Sequence, residues 1–284
     1  MTETIHNKST EQDRNPPPLN RAELKQVEER VAIGAHIVHE TIKREGEDEF
    51  KRSSLALGWS GLAAGLSMGF SLVAEALLSE YLPTASWEPL ISKLGYSVGF
   101  LIVVLGRQQL FTESTLTAIL PLLTKRDLKT MFSVARLWSV VLFANLLGTS
   151  LFAWVIAKSN IFNFNTMHAL VSVSTPAPDS TFGVVLMRAI FAGWLIAIMV
   201  WLLPAAESAK VSIIIIVTYL IGLGGFNHVI AGSNKMFYLI FTGNLSWGYY
   251  FGHFLVPTLM GNIIGGVSLV AFLGHAQVVA GKEA

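Results

Sequence analysis

Few residues of this chain can do chemistry in an apolar environment, and they gather in two places. One reads Gly106-Arg-Gln-Gln-Leu-Phe-Thr-Glu-Ser114 and the other Gly224-Gly-Phe-Asn-His228. Each interrupts a long apolar run with glycine and polar side chains. His228 is chemically the richest of them. An imidazole, with an unperturbed pKa of about 6.5, takes up and gives back a proton under physiological conditions. An ionisable group at membrane depth is functional by default; the alternative is a ring satisfied by helix packing alone. Arg107 and Glu113 lie six apart around the first interruption. They read as a structural ion pair, or else Arg107 supplies a cationic vestibule. Asn145 and Asn262 read as amides that bond backbone freed by the interruptions, ahead of direct contact with a solute.

The elements that position these residues follow from composition. Of 284 residues 52% are hydrophobic and only 14% charged, against roughly 25% charged in an average soluble domain. Six apolar stretches, near 55–82, 95–123, 132–157, 182–204, 211–242 and 251–274, are each long enough to cross roughly 30 Å of hydrocarbon. The fold class is therefore an all-α membrane protein, with a six-helix domain over 55–275 between an N-terminal segment (1–54) and a short tail (276–284). Lys43, Arg44, Lys51 and Arg52 precede the first span, and Lys125, Arg126, Lys129 and Arg136 lie between the second and third. Lys93 is the lysine of the first outer loop. This asymmetry puts both termini in the cytoplasm. No cleaved signal pattern precedes the first span, and the absence of cysteine leaves the redox compartment open.

Ahead of the membrane, Asn20-Arg-Ala-Glu23 forms a capping box opening an amphipathic helix with Leu24, Val27, Val31, Val38 and Ile42 on one face. Such a helix belongs at the cytoplasmic mouth. His36 and His39 on it lack a third ligand and read as solvated residues rather than a metal site. Gly61, Gly65 and Gly69 form a small-residue stripe for helix packing. Trp59, Trp87, Trp247, His253 and His275 read as membrane-interface residues, and Glu75 has no evident partner.

The halves of the chain resemble each other. Ala144-Asn-Leu-Leu-Gly148 in the third span matches Gly261-Asn-Ile-Ile-Gly265 in the sixth. Thr112 precedes Asn145 by 33 residues, and His228 precedes Asn262 by 34. Three spans per repeat invert the second copy relative to the first. In inverted repeats two broken helices meet near the midplane, where the site lies. A break survives in hydrocarbon only where it lines a cavity or is buried in protein. The bland alternative is that Gly224-Gly225 is a packing kink.

At these residues the chain resembles the formate–nitrite transporter family, over about 55–274. The resemblance is carried by Gln109-Leu110-Phe111-Thr112, Phe143-Ala-Asn145-Leu-Leu-Gly148, Phe226-Asn227-His228 and Gly261-Asn262-Ile-Ile-Gly-Gly266. It implies a pentameric channel or transporter with an aquaporin-like protomer. It implies further that Thr112 faces His228, with Phe100 and Leu110 at the cytoplasmic-side constriction and Tyr96 and Ile221 at the outer one. The chain departs from the family where a glutamate usually precedes the histidine (here Asn227). It also lacks the family's asparagine at Gly193 and Gly232, and its lysine near Ala177.

Together these readings point to passage of a small monovalent anion or its weak acid, with a neutral-solute pore or a nonconducting scaffold as alternatives. No nucleophile, zinc-protease or paired intramembrane aspartate motif is present, so an enzyme is not expected. No cofactor or metal is implied, and a net charge of +1 points to no nucleic acid. The expected setting is the inner (plasma) membrane, surrounded by lipid.

Overall fold

The computed structural model describes residues 20–21, 33–177 and 181–269. The backbone divides into Met1–Ile33 and Gly34–Ala284, and every element below belongs to the second unit. Most of the helix expected from Asn20, together with His275 and the tail, lies outside the described residues.

Helix α1 (Ala35–Lys51) buries Val38 and Ile42, as its apolar stripe requires. His39, expected in solvent, is only 7% exposed. Its ring meets Trp201 edge-on, the centroids 6.5 Å apart. Helices α2 (Ser54–Tyr81), α6 (Leu128–Lys158) and α8 (Phe182–Leu202) start where Ser53, Asp127 and Thr181 accept amides that have no helical partner. By length and composition four stretches can cross a membrane: Ser54–Tyr81, Glu88–Leu105, Leu128–Lys158 and Phe182–Ala205. The 23-residue connection between α6 and α8 contains α7 (Phe164–Ser174), capped by Asn163. The last helix, α11 (Val256–Leu269), is entered through a π-helical turn at Tyr250–Leu255.

The second and fifth apolar stretches are broken. The second runs as α3 (Ser97–Leu105), α4 (Phe111–Thr117) and α5 (Ile119–Lys125), and the fifth as α9 (Lys210–Leu223) and α10 (Val229–Phe241). The two breaks, 106–110 and 224–228, have nearly the same backbone. The second residue of each is left-handed, Arg107 at φ 50° and Gly225 at φ 62°. Glycine takes that region freely, whereas arginine visits it rarely. The third residue of each donates its N–H back to the preceding helix, Gln108 to Val103 and Phe226 to Ile221, both at 3.0 Å. The last is extended at φ −106°, ψ 127° for Leu110 and φ −104°, ψ 126° for His228. Hence Leu110 is the counterpart of His228. The sequence alignment of Thr112 with His228 is two residues out of register.

Helices α2 and α6 pack backbone to backbone, as do α8 and α11. A Cβ on Gly65 would stand 2.2 Å from the carbonyl oxygen of Asn145, and one on Gly193 would stand 2.4 Å from that of Asn262. Only a hydrogen fits either gap. The second contact accounts for the missing side chain at residue 193: an asparagine there would force α8 away from α11.

Candidate functional site

Each break is held by one asparagine making three hydrogen bonds. Asn145 Oδ1 accepts the Phe111 N–H at 2.9 Å, and its Nδ2 donates to the carbonyls of Gly61 (2.8 Å) and Gln109 (2.9 Å). Asn262 Oδ1 accepts the Val229 N–H at 2.8 Å, and its Nδ2 donates to Ala189 and Asn227, both at 2.8 Å. Each amide satisfies the first N–H of a half-helix, one carbonyl of the break and one carbonyl of a neighbouring helix. Both side chains are fully buried. Their donors and acceptors are spent on backbone, which is the structural role expected of them.

The breaks bring Thr112 and His228 together. Thr112 Oγ1 and His228 Nε2 lie 2.7 Å apart, and both residues are about 1% exposed. His228 also caps α10, its Nδ1 accepting the Ala231 N–H at 3.2 Å. With Nδ1 an acceptor, the neutral ring carries its proton on Nε2 and donates to the threonine oxygen. The threonine hydroxyl proton is then left for another acceptor. Phe100 stands edge-on to the imidazole at 5.0 Å and tilts against Tyr96 at 5.4 Å. Leu110, Phe100, Tyr96 and Ile221 are all buried and share one hydrophobic cluster. Phe111 turns instead toward Trp138, with centroids 6.0 Å apart.

A cavity of about 300 Å³ leads to the ring from the side of α7. His228, Asn227, Tyr96, Ile221, Lys93, Arg188 and Lys235 all line it, and Ala177 and Gly232 also border it. The unassigned Glu75 finds its partners here. Fully buried, it binds Lys235 at 2.7 Å and Lys93 in a second close ion pair. Lys235 also stands 5.8 Å from the centre of the Tyr96 ring. A Cβ on Gly232 would press on Phe254, so an aromatic ring fills the space of the missing asparagine side chain. Lys235 and Arg188 escaped the sequence reading. The signal was present, since each is a cation inside an otherwise apolar run.

On the opposite side, α1 meets the first break. Glu49 accepts hydrogen bonds from Gln109 Nε2 at 3.1 Å and Thr117 Oγ1 at 3.0 Å. The expected Arg107–Glu113 ion pair is not formed among the described residues: Glu113 Oε1 is buried with no hydrogen-bond partner. Arg107 turns its charge toward Glu45 on α1, where together with Lys210 it counters the upward push of burial on that carboxyl.

Burial pushes the Glu49 carboxyl up to about 7, against the pull of its Gln109 and Thr117 hydrogen bonds. The undocked group titrates near 4.5, so the docked helix binds the extra proton between these values and docking weakens as pH rises through them. Hydrogen exchange of the α1 amides, corrected for intrinsic rates, should therefore accelerate from pH 5 to pH 7.5. Glu49→Gln should flatten that dependence. An unchanged profile in the variant would show that another group controls docking.

Residues 36–276 match the model of the formate/nitrite transporter family, so the similarity takes in α1, which the sequence reading left outside it. The chain is 43% identical to the inner membrane protein YfdC of Escherichia coli K12, covering 88% of this chain and 81% of that protein. It is 29% identical to the formate channel BtFdhC of Bacillus thuringiensis, covering 77% and 84%. Among solved structures, a pentameric formate channel with formate bound superposes with a TM-score of 0.70 at 21% identity, covering 81% of this chain and 99% of that one. An ion channel of the same family gives 0.71 at 18% identity, covering 86% and 98%. With two broken helices clasped by matched asparagines around a threonine–histidine pair, and a family match spanning most of its length, this chain is a membrane protein that belongs to the formate/nitrite transporter family.

Proposed function

We propose that the chain conducts a small monovalent anion of the formate or nitrite kind, together with its weak acid, and that His228 relays the proton between them. The observation that carries this reading is the buried Thr112–His228 contact, with Phe100 edge-on to the imidazole and Leu110, Tyr96 and Ile221 buried in the same hydrophobic cluster as Phe100. A bare anion sheds hydration at such rings at a cost of several kcal/mol. Protonation removes that cost. To give up a proton the ring must first become imidazolium, which adds a proton at Nδ1 and releases the Ala231 N–H. Flux should therefore rise as pH falls, because acid both charges the ring and neutralises the solute.

The matched breaks and amide clasps support a 3+3 inverted repeat of six spans. Half-helices that begin at such a junction turn positive ends inward, which favours an anion. The relatives named as a formate channel and a pentameric formate channel support the substrate class and a homopentamer. Exposed Phe132, Phe143 and Trp154 on α6 offer apolar surface to neighbouring copies and lipid. The Lys/Arg asymmetry supports cytoplasmic termini, and the E. coli relative supports an inner-membrane setting. A second reading, a neutral-solute pore, is favoured by Asn227, an uncharged amide beside the histidine.

Purified protein in liposomes distinguishes these readings. Formate and nitrite should equilibrate at least about tenfold faster than in protein-free vesicles, a gain corresponding to roughly 1.4 kcal/mol of barrier, whereas urea and glycerol should not. Comparable urea flux would favour the neutral pore, and no flux of any solute would favour a scaffold.

A further inference from the structure

The cavity above His228 has a wall whose charges are unequally committed. Of its three strong cations, Lys93 and Lys235 both belong to Glu75. Arg188, in the second turn of α8, lines the same cavity and, among the described residues, makes no hydrogen bond or ion pair with another side chain. It lies one turn beyond Val185 on the same helix face; Val185 also lines the cavity, and its carbonyl faces the Asn227 amide at 3.5 Å. The residue is partly buried, and among the described residues no carboxylate is paired with its charge.

Among the described Lys, Arg, Asp and Glu residues at this chamber, three cations stand against one carboxylate, a surplus of two positive charges. That surplus repels cations and leaves neutral solutes unaffected. The guanidinium adds geometry to charge. Its planar fork matches two oxygens on one central atom, a match that lysine, as a point charge, does not provide. The cavity volume of about 300 Å³ holds a small oxyanion with several waters, so capture here does not require full dehydration.

We propose that Arg188 is the capture site for a small planar oxyanion, a carboxylate or nitrite, bound in the cavity before it passes Tyr96 and Ile221. The proposal rests on the reading of this cavity as an anion entrance, but binding can be measured without transport. Lys235 and Lys93 supply background potential, held in place by Glu75, while Arg188 makes the direct contact.

Two measurements on the full-length protein in nanodiscs test it. In the first, phenylglyoxal modifies the wild-type protein and the Arg188 peptide is quantified by mass spectrometry. Sodium formate and sodium nitrite should slow modification of Arg188, and sodium chloride at equal ionic strength should do so far less. In the second, calorimetric titration with sodium formate compares wild type, Arg188→Gln and Arg188→Lys. Loss of one charge-assisted pair should raise the half-saturating formate concentration about tenfold in Arg188→Gln, with partial recovery in Arg188→Lys. Equal protection by chloride, or unchanged formate affinity in Arg188→Gln, would overturn the assignment. Should Arg188→Gln fail to fold, the wild-type protection result decides alone. Arg188-dependent binding in a protein that moves no solute would refute the transport reading and leave the capture site standing.

Discussion

His228→Asn is expected to leave the protein folded and to lower weak-acid flux by on the order of a hundredfold, the scale of a lost proton-transfer group. The fold should tolerate the change because residue 228 caps α10. Asparagine is among the preferred N-cap residues, and its Oδ1 can accept the Ala231 N–H that the imidazole Nδ1 accepts now at 3.2 Å. What asparagine lacks is a ring nitrogen that can take up and give back a proton. The variant should also lose the rise in flux with falling pH, apart from the part set by the solute's own acid form. Thr112→Val removes the oxygen 2.7 Å from Nε2 at nearly constant volume. Losing one neutral hydrogen bond, about 1 kcal/mol, should slow flux only several-fold. Stopped-flow acidification of proteoliposomes across a pH series reads both effects. Flux and pH response like wild type in His228→Asn would reject the relay and leave a neutral ring that acts by hydrogen bonding alone.

Asn145→Ala and Asn262→Ala should each destabilise the protein severely, and by similar amounts. Each truncation strands one N–H and the break carbonyl of Gln109 or Asn227, and takes a second hydrogen bond from a helical carbonyl. At roughly 1–3 kcal/mol per unsatisfied group, the loss is comparable to the whole stability of many domains, about 5–15 kcal/mol. Asn→Asp substitutions separate the parts: a carboxylate keeps the acceptor for Phe111 or Val229 but loses both donors. Thermal unfolding in detergent should rank wild type well above the aspartate variants, and these above the alanine variants. A mild effect at Asn145 beside a severe one at Asn262 would show that the two clasps are not equivalent, and would weaken the repeat as an organising principle.

The sequence alone determined that this is a membrane protein, where its helices break, and which residues hold the breaks. These are consequences of local composition. Backbone freed in hydrocarbon must find partners, so glycine and polar residues amid apolar runs mark the breaks, and an asparagine at a matched distance marks what repairs them. Thr112 and His228 were paired by family likeness and meet in the structure, although their register was misjudged. In the second half the histidine itself occupies the capping position, which in the first half belongs to Leu110. The remaining features needed the tertiary structure. Glu75 has partners 18 and 160 residues away, and no local pattern predicts that a lysine on α10 crosses to α2. The Arg107–Glu113 spacing suggested a pair, but the charge of Arg107 acts on Glu45 of α1, a residue far from it in sequence. Gly193 is explained only when α11 lies against it, and Arg188 becomes notable only when Glu75 is seen to claim the neighbouring lysines. Helix positions follow from the cost of exposing a segment's own backbone, whereas charge pairing and close contact depend on where separate helices cross, which is decided when they pack.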